Sequence, residues 1–272
     1  MTSTKPVSTA AAQHRAGSRP QPDAAGGKTR RDTPAQIGLL AGCTACVAGQ
    51  FKLCAALRKK TGDPAEPPVD TPAPEYAPAR RTICGRREWP EFVHIICSGW
   101  AMTSITHADG RRQILSFLLP GDSESTLNIF QPRFGRSIEA ITDVLYRRFK
   151  REEVREKLFS RPDLIETLGQ VWSEEKERAD QLAIDLGRRM ADERIARQLL
   201  ELAGRLGKRG MASEGSMEFP LRQRHIADLT GLTPVHVSRV MSEFQRTGLI
   251  AIEGRMLRIL DGERLRRVAE YR

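Results

Sequence analysis

Three of the chain's five cysteines fall inside one short stretch, GCTACVAGQFKLC, from Gly42 to Cys54. Cys43, Cys46 and Cys54 follow a C-x2-C-x7-C spacing. Thiolates this close repel one another unless a cation holds them. The chemistry open to them is a metal ion or an iron–sulfur cluster, a redox dithiol, or none. The other two cysteines, Cys84 and Cys97, stand apart. An odd count in a chain with no export signal argues against a disulfide framework and raises metal binding or thiol chemistry.

A second constellation lies near the other end. RQRHIADLTGLTPVHVSRVMSEFQRTGLI reads as two helices split by a turn at Gly231, with Thr233 as N-cap and Pro234 opening the second helix. GLIAIEGRMLRIL then reads as two short strands around Glu253-Gly254. A helix pair with a tight glycine turn and a following β-wing is a winged helix-turn-helix, whose second helix enters the major groove. Val237, Val240, Met241 and Phe244 repeat at core spacing, which leaves Val235, His236, Ser238 and Arg239 in the first turns to meet DNA. Arg239 suits a bidentate contact to guanine O6 and N7, and Ser238 a base or phosphate hydrogen bond. Thr230, Thr233 and Arg222 are placed to hold phosphates. The charge agrees: the chain carries net +10, and residues 188–272 hold 17 Lys+Arg against 11 Asp+Glu.

The remaining sequence must position these two sets. Residues 1–36 are rich in Ala, Gly, Pro, Ser, Thr and charge without hydrophobic periodicity, so a disordered tail is expected. Residues 37–60 form the cysteine-rich segment, a small satellite. Residues 61–80, with six prolines between Thr61 and Ala79, read as an extended linker. Over 81–160 short β-type runs alternate with turn signals, Asp109-Gly110 and Pro120-Gly121-Asp122 among them, which predicts a small β domain. Over 161–190 a long helix opens near Pro162. Its stripe of Leu164, Leu168, Val171, Leu182, Leu186 and Met190, interrupted by Glu175 and Arg178, predicts pairing with a second copy. Residues 191–272 make the DNA-binding domain. The fold class is α+β.

FPLRQRHIADLTGLTPVHVSRVMSEFQRTGLIAI resembles the winged helix of the Crp/Fnr transcription regulators, and the order β-roll, long helix, winged helix extends the resemblance over roughly 81 to 260. It implies a cyclic-nucleotide-binding-like jelly roll, a homodimer paired through the long helix, binding to two-fold symmetric operators in double-stranded DNA, and RNA polymerase as a partner. Val235 stands where many Fnr-type regulators carry Glu. Readers of cyclic nucleotides in the family carry a Gly-Glu and an Arg-Ser/Thr pair. Here no Gly-Glu precedes, Arg136-Ser137 reads out of register, and Arg133 and Arg136 are expected to be surface charges.

The N-terminal cysteines resemble those of the FnrN-like and FixK-like branch, which implies an oxygen-labile iron–sulfur cluster of [4Fe-4S] type on Cys43, Cys46 and Cys54. The family's fourth cysteine falls at Arg147, which cannot replace a thiolate, so Cys97, ahead of Cys84, is the expected fourth ligand. The cluster would lie exposed at the protein's edge. The alternative is a regulator that uses these cysteines for zinc or as a thiol switch, or responds to another effector.

No triad, metal-hydrolase or phosphate-loop spacing occurs, and Cys43 to Cys46 does not head a helix of a βαβ unit, so an enzyme is not expected. With no membrane span or secretory signal either, the expected location is the cytoplasm.

Overall fold

The computed structural model describes residues 52–58, 72–85, 91–124, 126–130 and 135–270. The expected tail and most of the expected linker lie outside them, as do Cys43 and Cys46.

Helix α1 (Lys52–Arg58) precedes seven strands: β1 (Glu75–Ala77), β2 (Thr82–Cys84), β3 (Phe92–Ser98), β4 (Ala101–Thr106), β5 (Arg112–Leu118), β6 (Ser137–Ala140) and β7 (Val144–Lys150). They make two antiparallel sheets, ordered β1-β7-β3 and β2-β6-β4-β5. The alternation of apolar residues sets which side chains enter the roll, and Ile96, Ala101, Leu118, Ile138, Val144 and Tyr146 close its interior. The two turn signals do what their residues require: Gly110 and Gly121 take φ of +86° and +95° in the turns that follow β4 and β5. A one-turn 3-10 helix (Thr126–Ile129) lies before β6.

Helix α2 (Arg151–Ser160) closes the roll and α3 (Pro162–Arg188) runs 27 residues, about 40 Å at 1.5 Å per residue. Pro162 opens it as expected. Two stripes run along it. Leu164 and Leu168 are buried with Leu53, Cys54 and Leu57 of α1 and with Val93, Ile95 and Phe149 of the roll. Glu175 faces the roll as well. Its carboxylate accepts hydrogen bonds from Thr126 N (3.1 Å), Thr126 Oγ1 (3.0 Å) and Ser123 Oγ (3.5 Å), and burial raises its pKa. Leu182 packs farther along, against the core of the C-terminal part.

Of the stripe expected to pair with a second copy, Leu164 and Leu168 are covered by the roll and α1, whereas Val171, Leu182 and Leu186 remain partly exposed. Met190 lies beyond α3, at the N-cap of the next helix. The apolar side chains that α3 leaves outward are Ile165, Trp172 and Ile184. A second correction concerns the cysteine segment: Lys52–Arg58 is no loose satellite but a helix seated on α3 and the roll, driven by burial of Leu53, Ala56 and Leu57.

The chain bends at Arg189 and Met190, both extended, into α4 (Ala191–Gly207). Asp185, buried, pairs with Arg189 (2.7 Å) and with Arg197 of α4, which pins the bend. Next come β8 (Ala212–Ser213), β9 (Ser216–Glu218), α5 (Gln223–Thr230), α6 (Pro234–Arg246), β10 (Ile250–Glu253), β11 (Met256–Ile259) and α7 (Gly262–Ala269). The wing is a four-stranded sheet, β10-β11-β9-β8, and not the two-stranded hairpin expected. MASEGSMEF supplies the extra pair, turning at Glu214 and Gly215, both with positive φ.

Trp172→Glu should weaken self-association in sedimentation velocity, because its ring is half exposed on the outward side of α3. Leu164→Ala should instead cost about 2–5 kcal/mol in denaturant titrations, as for other fully buried leucines.

Candidate nucleic-acid interface

The helix pair is built as its sequence dictates. Gly231 takes φ +68° and ψ +25° at the C-terminus of α5, and its N–H donates to Ala227 O. Glycine suits this place, since an added Cβ would meet Leu186 Cδ2 of α3 at 3.0 Å in a left-handed backbone that L side chains rarely adopt. Thr233 then caps α6, its Oγ1 accepting from His236 N at 3.2 Å, and Pro234 begins the helix. Val237, Met241 and Phe244 are buried in the core shared with α4, while Val240 packs against it.

That burial decides the outward face. Val235 is 72 % exposed, His236 and Arg239 are exposed, and Ser238 is half-buried. The structure thus brings the residues read as base-facing to one accessible helical surface. Thr233 lies at its edge, its hydroxyl occupied by the cap. Arg222 stands exposed just before α5, with its backbone N–H donated to His225 Nδ1 at 3.2 Å. Thr230 is a correction: it is buried, and its hydroxyl donates to Ile226 O at 2.7 Å, so no phosphate reaches it. Beside the helices, Gly254 turns the wing at φ +59°, followed by Arg255.

His225, buried at the start of α5, was not singled out by sequence reasoning. Burial, and then the guanidiniums of Arg224, Arg112 and Arg222, push its pKa down to about 4. Its neutral ring is what lets Nδ1 accept at the start of α5.

The described cysteines are divided. Cys54 is 2 % exposed, in the apolar cluster under α3. A cluster held by it would not lie at the protein's edge, as had been expected, because α1 turns this thiol inward. Cys97, half-buried at the end of β3, donates its Sγ–H to Ile95 O at 3.9 Å. Cys84 belongs to a different cluster, inside the roll, and donates to Gly85 O at 3.8 Å. Among the described residues no group of three or more His, Cys, Asp or Glu side chains is placed to hold a metal. Arg147 faces Ile95 across the β3–β7 ladder. Arg136, expected on the surface, is half-buried at the head of β6, where Ser137 Oγ lies 3.3 Å from Ser104 Oγ; Arg133 lies outside the described residues.

Comparison with known proteins meets this geometry at both ends. Residues 74–161 match the family model of the cyclic nucleotide-binding domain, and residues 193–268 that of the Crp-like helix-turn-helix domain. The chain is 34% identical to the transcriptional activator protein FnrL of Cereibacter sphaeroides, over 65% of this chain and 72% of the relative. The chain belongs to the Crp/Fnr family. It is also 32% identical to the nitrogen fixation regulation protein FixK of Azorhizobium caulinodans, over 68% of this chain and 75% of that one. The solved structure of FixK2 from Bradyrhizobium japonicum superposes with a TM-score of 0.65 at 30% identity, covering 71% of this chain and 94% of that one. As a Crp/Fnr protein the chain is a DNA-binding transcription regulator that acts as a dimer, and not an enzyme. No helix among the described residues is long and apolar enough to cross a membrane.

The histidine gives the Crp/Fnr domain a pH dependence of known sign. Its folded pKa lies near 4 and its unfolded value near 6.5, so between them the unfolded chain binds a proton that the folded one refuses. Stability should fall as pH is lowered through that window, and denaturant midpoints for His225→Gln should show a flatter dependence than wild type.

Proposed function

We propose that this Crp/Fnr regulator reads its operator through Val235, His236, Ser238 and Arg239 of α6, with Thr233 and Arg222 on phosphates. We further propose that it responds to oxygen or redox state through the N-terminal thiols. The outward face of α6, carrying Arg239, supports the first part. Replacing Arg239 by Ala should cost about 1–3 kcal/mol on an operator selected by the wild-type protein and relax preference at one base pair. Arg222→Ala should instead weaken all duplexes alike and make the salt dependence shallower by about one unit. Equal losses for the two variants on every sequence would refute the assignment.

The observation that carries the sensory part is the seat of Cys54. Its helix packs against the same Leu164 and Leu168 that anchor α3, so a change in the thiol segment is felt by the helix joining the roll to the DNA-binding domain. Four thiols, Cys43, Cys46, Cys54 and Cys97, make up the donor set a [4Fe-4S] cluster takes, and such a cluster would supply oxygen-labile redox chemistry. Cys97 is the better fourth member, since it lies at the end of the strand whose Val93 and Ile95 pack in the cluster of Cys54, whereas Cys84 packs elsewhere. FnrL is described as a transcriptional activator, and by likeness to it we place RNA polymerase among the partners. A role on chromosomal DNA puts the protein in the cytoplasm.

Protein isolated without air should contain iron and acid-labile sulfide and absorb in the visible. Ser at position 43, 46 or 54 should remove that absorbance, and Cys97→Ser should do so more than Cys84→Ser. Stoichiometric zinc that air does not release would replace the cluster by a structural metal, and protein with neither metal would leave a thiol switch.

A further inference from the structure

Helix α3 carries an exposed strip with the spacing of a coiled coil. Ile165, Gly169, Trp172, Lys176, Ala179 and Ala183 follow one another at alternating intervals of four and three, and all six are exposed. The strip runs about 27 Å along the helix at 1.5 Å per residue, on a different side from Leu164 and Leu168, which the roll and α1 cover. Glu166, Ser173 and Asp180, also exposed, border it. Every member but one is apolar or glycine. The exception is Lys176, in the middle.

A strip that repeats every seven residues is complementary to a copy of itself, because two such helices related by a two-fold axis set each residue against its counterpart. The dimer in which this family acts supplies that copy, and Gly169, Ala179 and Ala183 are small enough for two helices to approach closely. Pairing in register brings Lys176 against the partner's Lys176, between the layers of Trp172 and Ala179. The carboxylate that holds the ammonium is Asp180, one turn along at 2.5 Å and on the border of the strip. In the single chain the two side chains are 66 % and 56 % exposed, so their pairing there contributes little.

We propose that Lys176 determines the strength and register of the dimer: it sets a charged layer into an otherwise apolar seam, so that the two long helices pair in one register and pair weakly. The inference rests on the family's dimer and not on the operator or thiol readings given above. Closing the seam takes two ammonium groups partly out of water and places them side by side, which opposes the gain from the apolar layers. In register the two lysines share both Asp180 carboxylates. A slip of one heptad would set each lysine against Gly169 or Ala183 and divide that shared layer. A single polar residue at a core position of a coiled coil fixes register at a cost in stability in this way. The dimer is thereby left responsive to protein concentration and to any displacement of α3.

The test follows the monomer–dimer equilibrium of the full chain by sedimentation equilibrium. Lys176→Leu should dimerise at concentrations about 10-fold lower than wild type, Lys176→Arg should match wild type, and Asp180→Asn should need about 3-fold more protein. Lys176→Glu should self-associate poorly, yet mixed in equal amounts with wild type it should form mixed dimers in preference to either homodimer, because only facing residues can exchange repulsion for attraction. A statistical mixture would overturn the in-register contact. An unchanged equilibrium for Lys176→Leu would overturn the role of the charge. Trp172→Glu measured beside them locates the failure: if it weakens the dimer while the Lys176 variants do not, the helices pair and only the lysine's part is lost, whereas if it too is without effect, the strip is not the seam.

Discussion

Asp122 is the carboxylate on which the arrangement of the two domains depends. It accepts from Leu119 N at 2.7 Å, which fixes the turn after β5, and it holds the guanidiniums of both Arg205 and Arg209 from the end of α4. All three side chains are nearly dry. Glu201 joins them, holding Arg205 at 3.1 Å. A largely buried ion cluster of this kind adds little net stability compared with apolar residues of the same volume, yet removing a member leaves charge there poorly compensated, so its effect is to enforce one way of docking. Arg112, shared between Glu139 of the roll and Asp228 of α5, acts in the same way at the other end of the interface. Between these polar fixings, Trp100, Met102, Ile114, Phe117 and Leu119 of the roll enter one apolar core with α4, α5 and α6. The roll and the winged helix meet as parts of a common interior.

That common interior changes how the long helix should be understood. α3 leans on the roll and α1 through Leu164, Leu168 and Glu175, meets the C-terminal core through Leu182, and places Leu186 against the turn at Gly231. Each element of the sensory half therefore has a short mechanical route to the helix-turn-helix. A rotation of α3 shifts the packing around Gly231, where a side chain would press on Leu186, and that is also where α6 takes its direction. Coupling of this sort needs no dedicated relay; it follows from dense packing, which transmits displacement because interiors are not compressible.

Much of this was legible in the sequence, for identifiable reasons. The helix-turn-helix announces itself through residues whose backbone demands are local: Gly231 for a left-handed turn, Thr233-Pro234 for a capped start, and Val237, Met241 and Phe244 for a buried stripe. The base-facing set follows by subtraction from that stripe. The roll was readable from its turn glycines. What the sequence hid was the choice between partners for the same apolar surface. Leu164 and Leu168 have equal spacing whether they meet a second copy or the chain's own roll, and periodicity carries no information on which wins. The inward turn of Cys54 was hidden for the same reason: its neighbours in sequence say that a helix forms, and only the tertiary contacts say which face is covered. Thr230 shows the limit at a single residue, since a threonine at a helix end reads as a phosphate ligand until its hydroxyl is seen bonded to the preceding turn.

The tryptophans carry a last consequence. Trp100 is almost wholly enclosed where the roll meets the DNA-binding domain, its indole N–H without a hydrogen-bond partner among the described residues, whereas Trp172 stands half in water on the outward side of α3. An indole in a dry apolar site and one at a wet surface emit at different wavelengths. Of the chain's three tryptophans, with Trp89 outside the described residues, these two are optical reporters built into the fold: a blue one sensitive to parting of the domains and a red one sensitive to whatever covers the long helix.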